Sequence, residues 1–212
     1  MNRLLHIAGW GYAGICAALV FGAPVAQVPP GVTTAPSGEP PISAAVSGSD
    51  ADQWFRRMKP YCNPVEIEFV RRTPPPATWE GSGFRAACFA LAGRTDEARR
   101  VIDALQGDDR WRAAGIVFDV GHPVADAGDD RAAGPIMELV IDYWPTHYMA
   151  LYHAGMAEYM MGQPALARKN LVEFLRLYQQ NDGWQGNALD IIRRLDEPAS
   201  AAAQDQRRPR EP

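Results

Sequence analysis

The sequence predicts an all-α fold of paired helices, and three observations carry that expectation. Apolar residues recur at helical spacing and stop at glycine or proline, a set of small residues repeats three times along the chain, and runs of strand type are scarce. Residues 165–178 place Leu166, Leu171, Phe174, Leu175 and Tyr178 at helical intervals, and residues 137–143 do the same with Leu139, Val140 and Tyr143. The strand-like stretch is Val65, Ile67 and Phe69 alternating with Glu66 and Glu68. Asn63, Pro64 and Glu66 just before it supply a cap, a first-turn proline and an early acidic residue, so a helix over residues 63–72 is expected instead.

The repeat is defined by spacing. Gly121, Gly128, Ala133 and Pro145 are separated by 7, 5 and 12 residues. Gly155, Gly162 and Ala167 repeat the 7 and the 5 at a displacement of 34, and Ala86, Gly93 and Ala98 do so one register earlier at a displacement of 35. On these residues the chain resembles the tetratricopeptide repeat (TPR) family, whose unit is two antiparallel helices. The resemblance covers residues 79–180, with a looser copy before it over residues 50–59 and 63–72. It implies an α-α solenoid of three to four TPR-like hairpins, with Gly93, Gly128 and Gly162 at the turns and Ala98, Ala133 and Ala167 at the closest helix crossings. Pro123, inside a first helix, departs from the pattern. Beyond the last repeat, residues 182–195 carry Trp184, Leu189, Ile192 and Leu195 on one face with Arg193 and Arg194 opposite, as expected of a C-terminal capping helix.

Composition divides the chain further. Residues 1–26 hold one basic residue, Arg3, before an uncharged apolar stretch, and read as a signal peptide or an N-terminal membrane anchor. Residues 27–49 are rich in Pro, Gly and Ser and read as a disordered tether, residues 50–197 as the helical domain, and residues 198–212 as a disordered polar tail. Export to the periplasm or beyond follows from the leader. With 25 acidic against 21 basic residues and a net charge of −4, the chain lacks the clustered positive charge that nucleic acid requires.

Outside the leader's Cys16 two cysteines remain, Cys62 and Cys88. Cys62 lies 14 residues before Pro76 and Cys88 lies 12 after it, so a chain reversal at Pro74 to Pro76 brings them face to face. A disulfide is expected, which in the chain-entropy account stabilises by about 3 kcal/mol.

Two clusters carry candidate chemistry. His122, Asp126, Asp129 and Asp130 could supply nitrogen and oxygen to a divalent cation, with His153 as a further ligand. The repeat gives a simpler account: Asp129 and Asp130 fall at a helix N-terminus, where carboxylates cap free N–H groups, and His122 with Asp126 is an i, i+4 surface pair. Trp144, His147, Tyr148, Tyr152, His153 and Tyr159 form the second cluster, with no nucleophile motif beside them. The TPR resemblance implies a concave groove lined by Met149, Tyr152, Met156, Tyr159 and Met160, with His122 and Asp126 from the preceding repeat. Met and Tyr together suit a peptide. The expectation is a non-enzymatic scaffold of the cell envelope that binds a protein or peptide segment in this groove, without metal or other cofactor. The alternatives are a metal-dependent envelope enzyme using His122, Asp126 and Asp129, and an architectural spacer.

Overall fold

A computed structural model describes residues 45–197, so the leader, most of the tether and the polar tail lie outside the described residues. Those residues form nine α-helices and no strand: α1 Asp50–Met58, α2 Ile67–Arg72, α3 Trp79–Leu91, α4 Thr95–Asp103, α5 Asp109–Asp126, α6 Asp130–Tyr143, α7 Tyr148–Met160, α8 Pro164–Leu177 and α9 Gly183–Asp196. None of the described helices is long and apolar enough to cross a membrane.

Three helix pairs, α3 with α4, α5 with α6 and α7 with α8, close with the same turn. Gly93, Gly128 and Gly162 have φ of 71°, 78° and 72°, the left-handed region that an L side chain rarely enters. Each glycine N–H bonds back to Ala90, Ala125 or Tyr159, and the following N–H of Arg94, Asp129 or Gln163 reaches the carbonyl of Phe89, Val124 or Glu158. This is a Schellman motif made three times, and it satisfies the last carbonyls of α3, α5 and α7. Just beyond each turn Ala98, Ala133 and Ala167 are buried.

Small residues on the first helices set how near the second can come. A Cβ on Gly121 would lie 2.6 Å from Ile136 Cγ2, and one on Gly155 would lie 2.7 Å from Leu171 Cγ. Between hairpins the same device recurs, since a Cβ on Gly83 would meet Ile116 Cδ1 at 2.9 Å, where α3 packs on α5. Further along, α6 packs on α7 and α9 on α8. One apolar cluster runs from α1 to α6 and takes in Ala150 and Ala154 of α7, a second fills α7 to α9, and Ile141 touches both.

The helix expected over residues 63–72 begins at Ile67. Asn63 Oδ1 accepts from the N–H groups of Val65 and Glu66, while its amide donates to the Glu66 carboxylate, so the cap signal is real but closes a turn ahead of α2. Strand-like alternation is refuted by burial: Ile67 and Val70 face inward, whereas Val65 is 87% exposed. In α9 the inner face is Trp184, Ala188, Ile191 and Leu195, and Leu189, expected inside, is 52% exposed. Ala188 carried no weight as an apolar signal because of its size.

Cys62 and Cys88 form a disulfide, with Cα atoms 4.6 Å apart. It ties the segment between α1 and α2 to α3, within the same apolar cluster as the stacked rings of Phe55 and Phe84, 4.8 Å apart. Removing it by Cys62→Ser with Cys88→Ser should lower stability by about 2–5 kcal/mol, read from denaturant unfolding; the reduced native chain should lose a similar amount.

On α7, Glu158 is 1% exposed, and both its oxygens accept from the Asn170 amide of α8, at 2.8 and 2.9 Å. Burial pushes its pKa up to about 7, against an ordinary 4.5. The folded state therefore holds a proton that the unfolded chain releases, so this group's contribution is full below pH 4.5 and is lost as pH rises through about 7. Glu158→Gln should flatten that decline, and the Tm of the variant should gain on the native protein between pH 5 and pH 8.

Candidate functional site

Three of the chain's four histidines lie in the described residues, and all three meet where α5 faces α7. His122 and Asp126 stand one turn apart on α5, and His153 projects from α7. The Nε2 atoms of His122 and His153 are 3.0 Å apart, and Asp126 Oδ1 is 3.3 Å from the first and 3.9 Å from the second. His147 caps α7, its Nδ1 accepting from the Ala150 N–H at 3.2 Å, and its ring lies 4.0 Å from that of Phe118. Phe118 also stacks on His122 at 4.7 Å, and Trp184 of α9 closes over His153 at 5.7 Å. Aromatic walls thus surround the imidazoles, while Asp126 stays half exposed.

This enclosure decides the charge of the rings. Burial pushes His153 down to about 3 and His147 down to about 4, and it lowers His122 against the opposing pull of Asp126 and Asp119. The i, i+4 contact of His122 with Asp126 expected from sequence is made, at 3.3 Å, with burial of the ring working against its charged form. Asp129 is spent elsewhere, as the cap of α6, its carboxylate accepting from the Ala132 N–H at 3.1 Å.

The expected groove is covered at its centre. Tyr152 is 4% exposed, packed on Phe174 and Trp184, and its hydroxyl accepts from the Asn187 amide of α9 at 2.7 Å. Asn187 also reaches Met156 Sδ at 3.7 Å, and Tyr159 lies in the same cluster as Ile192 and Leu195. Tyr152 is therefore corrected from an open anchor to a buried seat for α9, and Met156 and Tyr159 are partly covered by the same helix, which lies on the face assigned to a partner. Met149 packs into the first core, while Met160, 65% exposed, and Asp126, 52% exposed, stand clear.

Sequence reasoning missed a cleft at the other end. Its volume is about 580 Å³, and Arg71, Pro75, Arg85, Phe89, Arg100 and Val101 line it. Arg71 is paired with Glu68 and Glu97. Arg85 lies over the Phe89 ring, 5.5 Å from its centroid, and its buried Nε has no hydrogen-bond partner. The available signal was one arginine set among Phe84, Ala86, Ala87 and Phe89 in an apolar helix.

Against protein-family models, curated proteins and solved structures, the chain has no match.

The histidine enclosure has a measurable consequence. An unfolded His147 takes a proton near pH 6.5, and the folded one resists until about 4, so stability is full above pH 6.5 and falls as pH drops toward 4. His147→Asn keeps a capping side chain and removes this site, and should lose less Tm than the native chain between pH 7 and pH 5.

Proposed function

We propose that the chain is a non-enzymatic scaffold, a solenoid of TPR-like hairpins held outside the cytoplasm, that binds a segment of another protein. The Schellman turn made three times at the repeat spacing supports the array, and the Cys62–Cys88 disulfide is consistent with an oxidising compartment. Because α9 occupies the Tyr152, Met156 and Tyr159 face, the binding surface moves to the cleft between the Pro74 to Pro76 turn, α3 and α4.

The observation that carries this reading is Arg85. A buried guanidinium nitrogen without an acceptor is costly to keep, and an incoming carboxylate supplies that acceptor in a charge-assisted bond. Arg100 adds a second cation, with no ion pair of its own among the described residues, and Phe89, Val101 and Pro75 offer an apolar wall. The partner is therefore a segment bearing an acidic side chain or a terminal carboxylate next to an apolar residue.

Crosslinking and affinity capture from intact envelope should recover a defined partner, and a short acidic peptide should compete with it. Arg100→Glu, at an exposed position, and Arg85→Gln should each reduce capture at least tenfold with α-helical content unchanged. Capture that survives both substitutions, or that an uncharged peptide competes as well, would contradict the assignment.

A further inference from the structure

We propose that His122, His153 and Asp126 form a binding site for one divalent transition-metal ion of the zinc class, joining the second hairpin to the third. The inference stands apart from the partner-binding reading, since it uses other residues at the opposite end of the fold.

The first argument is geometric. Metal bonds to imidazole nitrogen and carboxylate oxygen are about 2.0–2.2 Å, which places neighbouring donor atoms on the order of 3–3.5 Å apart. The two Nε2 atoms are separated by 3.0 Å, and Asp126 Oδ1 stands 3.3 Å from His122 Nε2 and 3.9 Å from His153 Nε2. All three donors lie within 4.8 Å of one another, so an ion among them needs only small rotamer adjustments. The second is donor chemistry. Two imidazoles and one carboxylate suit zinc and its neighbours in the first transition row, and are too poor in oxygen for calcium or magnesium.

The third argument is the arrangement of the helices. His122 and Asp126 share one face of α5 through i, i+4 spacing, and Asp126 is exposed enough to admit an ion from solvent. His153 is 6% exposed and held between the rings of Tyr152 and Trp184, which fixes its direction before any ion arrives. Three protein donors with one side open to water leave coordination positions for water or for a group brought by a partner. Without an ion, the two Nε2 atoms sit together only if one ring carries its hydrogen there and the other does not, whereas an ion accepts a lone pair from each.

Full-length protein, stripped with a chelator and then freed of it, is titrated with Zn²⁺ by calorimetry and by thermal unfolding. It should bind about one equivalent and gain Tm, and Mg²⁺ should do neither. Asp126→Asn and His122→Gln should each weaken Zn²⁺ binding by at least the roughly 10–100-fold that losing even an outer-shell partner costs. Asp126→Asn, at an exposed position, should leave the Tm of the metal-free protein near that of the native chain. No binding by the native chain, or binding undiminished when Asp126→Asn and His122→Gln are combined, would overturn the site.

Discussion

The closeness of the two helices in each hairpin is the constraint on which the rest of the structure depends. At Gly121 and Gly155 the facing Ile136 and Leu171 occupy the volume where a side chain would begin. Only because those helices touch do the paired first and second helices bury Ala133 and Ala167. Dispersion is weak per atom pair, and a backbone in direct contact with a branched side chain collects many such pairs. The glycines cost conformational entropy in the unfolded chain, and close contact offsets it.

That constraint also positions polar groups the core would otherwise exclude. With α8 drawn against α7, Asn170 reaches both oxygens of Glu158, so a buried carboxyl is bonded rather than orphaned. Where α5 and α7 meet, the space is filled by rings, and exclusion of water pushes the pKa values of His122, His147 and His153 down. At the surface the pattern differs: Arg99 with Asp142 and Arg168 with Asp196 are exposed ion pairs, which link elements while adding little stability. Tyr143, whose hydroxyl donates to Asp103 at 2.7 Å, also ties α6 to α4.

The helical class and the hairpin turns were legible because they rest on local chemistry. A glycine at a left-handed turn and an alanine just beyond it each declare themselves in one dimension, and the recurrence at 34 and 35 residues multiplied the signal. The disulfide was legible for a related reason, since a proline turn with similar lengths of chain on either side brings the two cysteines face to face. The surroundings of Tyr152 were not. Its aromatic, exposed-looking pattern is the same whether a partner or α9 covers it, and the amphipathic signal of α9 gave its existence without saying where it docks. The gathering of His122 with His153 is likewise a tertiary fact: they are 31 positions apart, and the chain between them carries no local mark of the meeting. Arg85 showed only as a charge out of place in α3.

A double-mutant cycle at Gly155 and Leu171 measures the central claim directly. If close helix contact governs the hairpin, Gly155→Ala clashes with Leu171, and Leu171→Ala relieves that clash while leaving its own cavity. The two substitutions together should then cost less than the sum of the two alone by about 1 kcal/mol or more, in denaturant unfolding. Costs that add to within about 0.5 kcal/mol would mean that the glycine is not there to admit the leucine, and would contradict the account.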